Sequence, residues 1–103
     1  MRVMIKFQIP VESGNEMMRS GKIAKVFEML MEDLKPEAAY FYPDSGLRAG
    51  HIIVDMQDSS RIAEAVERFC FGLNANVELT PVMNADDLGK ALSGLETIIG
   101  RYG

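Results

Sequence analysis

A chain of 103 residues, 48% apolar and 25% charged, can build one two-layer core but not two. Its net charge of −4 leaves no dense patch of Lys and Arg for a phosphate backbone, so nucleic acid is not an expected partner. Lys22 and Lys25 lie close together, but Glu28, Glu32 and Asp33 follow them, which describes a solvated helix face. Cys70 is the only cysteine, so no internal disulfide can form, and a reducing cytoplasm suits the chain. The opening stretch MRVMIKFQIPVESG lacks the continuous apolar region and small-residue cleavage site of a signal peptide. No run approaches the roughly 18 uninterrupted apolar residues of a membrane span. The expectation is a soluble cytoplasmic protein forming a single domain over residues 1–103.

Residues 2–10 alternate, with Val3, Ile5, Phe7 and Ile9 on one face and Met4, Lys6 and Gln8 on the other. That period of two predicts a half-buried strand, stopped by Pro10 and a loop at Glu12-Ser13-Gly14-Asn15. Ile23, Val26, Phe27, Leu30 and Leu34 then follow the spacing of one apolar helical stripe, ended by Pro36. A short aromatic strand over 38–42 and a second over 47–56 flank Pro43-Asp44-Ser45-Gly46, which carries the signals of a tight turn. Asp58, Ser59 and Ser60 supply capping oxygens for a helix whose stripe is Ile62, Val66, Phe69 and Leu73, with Asn74 at its end. Residues 76–83 read as a fourth strand, and Pro81 sets it at a sheet edge or terminates it, because proline cannot donate to a ladder. Asn84 caps a final helix with Asp86 and Asp87 in its first turn and a stripe of Leu88, Ala91, Leu92, Leu95 and Ile99.

Two strand-helix-strand units joined by a hairpin predict an α+β fold, the ferredoxin-like βαββαβ order plus a C-terminal helix. Its four-stranded antiparallel sheet carries both helices on one face. The other face holds Met4, Lys6, Gln8, His51, Ile53, Asp55, Glu78, Thr80 and Val82. Tyr40 and Tyr42 join it if the hairpin pairs Tyr42 with Leu47. Such a face is too apolar for water and too polar for a dry core, so a homodimer packed sheet to sheet is expected.

The element order, this mixed open face and the tail VELTPVMNADDLGKAL over 77–92 resemble the dimeric α/β barrel superfamily across nearly the whole chain. In that superfamily a strand ending in Pro-Val, here Pro81-Val82, is often followed by a short capped helix. Its members include muconolactone isomerases, antibiotic-biosynthesis-type monooxygenases, stress-response proteins and many families of unassigned function. The resemblance implies fold and dimerisation far more than chemistry, and this chain is expected among the families of unassigned function.

His51 is the only histidine, hence the only side chain with an ordinary pKa near neutrality, and it is the candidate catalytic group. Asp55 shares its face but lies about 13 Å along the strand, too far for a hydrogen-bonded dyad. A partner must come from a neighbouring strand: Gln8, Lys6 or Tyr40. The competing reading is a histidine satisfied within an interface or core. Lys6, Asp55 and Glu78 are candidate ligand-binding charges, or they pair with one another and set the dimer register. Tyr40 and Tyr42 can stack on a flat ligand or simply make a good strand. Arg48, just past the turn, can hold a carboxylate or phosphate, or stand as an exposed edge residue. Cys70 reads as a small buried hydrophobe and the eight methionines as dispersed packing. One histidine and one cysteine make no metal set, and no glycine pattern cradles phosphate, so no metal or cofactor is expected. The leading expectation is a homodimer binding a small, partly apolar ligand near the sheet. A cofactor-free monooxygenase- or isomerase-type enzyme using His51, and a purely structural or regulatory dimer, are the alternatives.

Overall fold

The computed structural model describes residues Met1 to Gly103. Strand β1 (Arg2–Ile9) alternates as its side chains require, with Val3, Ile5, Phe7 and Ile9 buried and their neighbours half-exposed. The loop expected at 12–15 is instead the start of helix α1 (Val11–Ser20), entered through Pro10, whose carbonyl accepts from the Gly14 amide at 2.9 Å. The reason is tertiary: Gly14 and Met17 turn inward on one helical face, and a Cβ at Gly14 would approach the Arg48 guanidinium to 2.8 Å. Gly21, left-handed at φ 75°, ends α1 and opens helix α2 (Lys22–Leu34), which buries Val26 and Leu30. Lys35, also left-handed, stops α2 one residue before Pro36.

Strands β2 (Ala38–Asp44) and β3 (Leu47–Asp55) form the hairpin, turned by Ser45 and Gly46 at φ 53° and 79°. Two consecutive positive φ values are the signature of the two-residue turn that matches strand twist. This tight turn pairs Asp44 with Leu47 and Tyr42 with Ala49, two residues from the expected Tyr42–Leu47 pairing. A shift of two preserves facing, so Tyr40 and Tyr42 still lie on the open side. Helix α3 (Arg61–Leu73) buries Ala65, Phe69 and Leu73 and ends at left-handed Asn74, while Cys70 is only half-buried. Strand β4 (Asn76–Pro81) stops at the proline.

The sheet order is β2-β3-β1-β4 with every neighbouring pair antiparallel, the ferredoxin-like arrangement, and β4 is an edge. One face and the inner sides of α1, α2 and α3 form a core around Phe7, Ile5, Ile52, Phe69 and Leu73. The single expected C-terminal helix is two, α4 (Ala85–Ser93) and α5 (Leu95–Tyr102), meeting at Gly94. Neither buries a residue. They carry the molecule to 59 Å in its longest dimension and its radius of gyration to 17.1 Å, against about 13 Å for a compact chain of this length. No helix is long and apolar enough to cross a membrane.

Candidate functional site on the open sheet face

Antiparallel register brings four of the candidate residues into one cross-strand row: Tyr40 of β2, His51 of β3, Lys6 of β1 and Glu78 of β4. With strands about 4.8 Å apart, the row runs across the whole sheet in roughly 14 Å. The next row is Tyr42, Ala49, Gln8 and Asn76. On the other side of the first lies an apolar row of Ala38, Ile53, Met4 and Thr80.

Two polar clusters tie the rows together. Tyr42 Oη lies 2.8 Å from His51 Nδ1, a diagonal pairing between rows, while the Tyr40 and Tyr42 rings both flank the imidazole at 5.4 Å. His51 Nε2 makes no hydrogen bond within the chain. Lys6 Nζ pairs with Asp44 Oδ2 at 2.9 Å, and Gln8 Nε2 donates to the same oxygen at 3.0 Å. Asp44 belongs to the edge strand and Lys6 to the strand beyond β3, so they meet over β3. The small Ala49 side chain, between Tyr42 and Gln8 in the register, leaves room for that contact. The hydrogen bond and charge of Asp44 raise the Lys6 ammonium above its usual value. The Lys6 hydrogen bond holds the Asp44 carboxyl below its own, against the opposing pull of desolvation. A recess of about 250 Å³ lies beside Lys6, lined by Gln8, Asn76, Val77 and Glu78.

Lys6, Gln8, Tyr40, Tyr42, His51 and Glu78 therefore share one region, but the pairings differ from those the sequence suggests. The His51 partner is Tyr42, and the Lys6 partner is Asp44, which reads as a turn residue until β2 is seen to run through Pro43. Once that strand is extended, Asp44 alternates with Tyr42 and Tyr40 on the same face, and that parity was the available signal. Asp55 lies outside the cluster and pairs with the Met1 ammonium at 3.2 Å. Arg48 belongs to the opposite side of the sheet, where it donates to Asn15 Oδ1 at 3.0 Å and ties α1 to the hairpin. No group of three or more His, Cys, Asp or Glu is placed to hold a metal ion.

The arrangement offers an aromatic floor, a Tyr–His hydrogen bond with one imidazole nitrogen unengaged, and a fixed charge pair at its side. The sequence family described as a domain of unknown function, DUF3303, matches residues 1–96. The chain belongs to the DUF3303 family. The match takes in all four strands, α1 to α4 and the first residues of α5. No curated protein matches the sequence. In DUF3303 terms, then, the open-face cluster lies wholly within the family's extent, while Ile99 and Tyr102 lie beyond it.

Proposed function

We propose that this DUF3303 domain is a cytoplasmic homodimer of the dimeric α/β barrel kind, which binds a small, partly apolar ligand between its two sheets. The observation that carries the reading is the Tyr40–His51–Lys6–Glu78 row with its Tyr42–His51 bond, on a face where Met4 and Ile53 also stay half-exposed. Helices α2 and α3 protect the other face, so only a second copy or a ligand removes this one from water. Burying the Ala38–Ile53–Met4 row would supply the apolar contact for association. The aromatic floor would receive a flat ring, with the ligand's hydroxyl or carbonyl directed to His51 Nε2. A lone half-buried cysteine supports a reducing compartment.

Two measurements test this. Light scattering at micromolar concentration is expected to give twice the 11.4 kDa chain mass, and Ile53→Lys to give the monomer with its helical circular dichroism largely retained. A wild-type monomer sinks the dimer. A thermal-shift screen of small aromatic acids, quinones and flavins is expected to find a stabilising compound, since a ligand bound only by the folded state raises its melting temperature. A dimer that no compound stabilises favours the purely structural reading.

The 2.8 Å Tyr42–His51 bond favours one further reading, an enzyme of the cofactor-free monooxygenase or isomerase type in which His51 moves a proton and Tyr42 fixes its tautomer. Tyr42→Phe would then lower turnover of the compound found by screening while leaving its binding within a few-fold. Equal loss of binding and turnover would reduce Tyr42 to a ligand contact.

A further inference from the structure

We propose that Arg48 anchors a small organic monocarboxylate, whose carboxylate meets the guanidinium and whose apolar tail lies in the recess between helix α1 and the β2–β3 hairpin. The site does not depend on the open-face reading, because strand parity sets Phe41, Pro43 and Arg48 on the helix-bearing side of the sheet, opposite Tyr40 and His51.

Acids outnumber bases in this chain, and most of its arginines are matched to one. Arg2, Arg19, Arg61 and Arg68 each meet a carboxylate at between 2.8 and 3.3 Å, and Arg101 lies over the Tyr102 ring. Arg48 has no carboxylate partner. Of the five N–H donors of a guanidinium, one is used within the chain, donating to Asn15 Oδ1 at 3.0 Å. Asn15 therefore orients the group without cancelling its charge. Gly14 completes the seat: it is buried, and a Cβ there would stand 2.8 Å from Arg48 Nη1 and 3.6 Å from Cδ, so the glycine is what lets the arginine come this close to α1. A fork held in this way has lost part of its rotamer freedom before a ligand arrives, which lowers the cost of binding one.

An open recess of about 570 Å³ lies beside the guanidinium, bordered by α1 at Val11 and Asn15 and by the hairpin at Phe41, Pro43 and Leu47. That volume is in the range of small-ligand sites. Val11 and Phe41 stay 48% and 56% exposed. The Phe41 ring is fixed from behind by Phe27 and Phe7, at centroid distances of 5.2 and 6.3 Å, so it stands as a wall that is already in place. Arg48 is the only charged residue lining the recess. Asp44 is drawn to Lys6 on the other face of the sheet, and Glu12 and Glu16 border a separate depression with Arg19. One fixed positive charge beside apolar walls is the complement of one negative charge on an apolar body. A phosphate dianion would call for a second cation, and a neutral ligand would leave the guanidinium unmatched.

Amide spectra of the isotope-labelled chain test the site while hexanoate, hexanol or acetate is added to about 10 mM, well above the dissociation constant of a millimolar site. Hexanoate is expected to saturate and to move the amides of residues 11–15 and 41–48. Hexanol keeps the tail and lacks the charge, and is expected to bind about tenfold more weakly. Acetate keeps the charge and lacks the tail, and is expected to lose at least about tenfold, since each fully buried methylene is worth about fourfold. Arg48→Gln is expected to weaken hexanoate about tenfold. Val11→Asp keeps the Arg48–Asn15 bond and puts an acid in the first turn of α1, where the helix dipole favours it. Its carboxylate occupies the guanidinium, so hexanoate binding is expected to disappear while the fold persists, which gives a reading even if Arg48→Gln fails to fold. The proposal is overturned if hexanoate does not saturate, if hexanol or acetate binds as tightly as hexanoate, or if either folded variant binds like wild type. Shifts centred on Lys6, Tyr40 and His51 would overturn it too, by assigning the acid to the open face.

Discussion

Gly50 is where a single added methyl group tests the packing most severely. It lies on the core side of β3, directly opposite Phe7 of β1 and Phe41 of β2. A Cβ there would stand 2.5 Å from the Tyr40 carbonyl oxygen and 2.8 Å from Phe7 Cζ, where comfortable carbon contacts are about 3.5–4.0 Å. The Phe7 ring has little freedom to retreat. It is 1% exposed and packs on Phe69, Phe27 and Phe41 at centroid distances of 5.2, 5.9 and 6.3 Å. The carbonyl belongs to the backbone, so relieving it moves β2 itself. Overpacking of this kind costs about 1–3 kcal/mol, and the backbone clash puts Gly50→Ala at the upper end. The stiffer unfolded chain returns about 0.4–1 kcal/mol, leaving a net loss of about 2 kcal/mol. In urea unfolding, with a slope of about 2 kcal/mol/M, the midpoint is expected to fall by about 1 M at unchanged slope. Adding Phe7→Leu is expected to recover only part of the loss, since it frees the ring contact and not the carbonyl. A midpoint within about 0.2 M of wild type would refute the reasoning, and full recovery in the double variant would show that the ring alone was the obstacle.

Two further predictions concern charge and capping. Asp44 titrates below its usual 3.8 and Lys6 above its usual 10.5, each chiefly through their mutual hydrogen bond. The carboxylate's contribution to stability is therefore complete above its unfolded-state pKa and lost as the pH falls through its lower folded-state pKa. That of the ammonium is complete below its unfolded-state pKa and lost as the pH rises through its higher folded-state pKa. Asp44→Asn is expected to lower the melting temperature by a small, constant amount between about pH 5 and 9, and the gap to close in acid below the ordinary carboxylate range. A gap unchanged down to about pH 2 would contradict this. Asn84→Ala removes the acceptor for the Asp87 amide, which now lies 2.8 Å from Asn84 Oδ1, at a cost of about 1 kcal/mol to helix α4. Amide exchange in the first turn of α4 is expected to quicken about fivefold while the β1 amides are unaffected, and a uniform change in both would show that α4 and the core open together.

The sequence alone determined the elements whose signals are local. The alternation of Val3, Ile5, Phe7 and Ile9, the stripe of α2, the helix end at Asn74 and the cap at Asn84 are written in residues a few positions apart, and the ferredoxin-like order follows from their succession. It also divided the sheet into its two faces, because strand parity survives a two-residue error in hairpin register. What only the tertiary structure decided depends on contacts between residues distant in the chain. Gly14 reads as a loop residue until Ile9 and Arg48 pack against its face of α1. Asp44 reads as a turn residue until β2 extends through Pro43 and a small Ala49 opens the way to Lys6. Arg48 reads as free until Asn15 lies 3.0 Å away. The C-terminal stripe was legible as amphipathic, but amphipathicity says only that a face must be covered. That the chain itself does not cover it follows from the direction in which α4 leaves the end of β4, and sequence periodicity carries no record of direction.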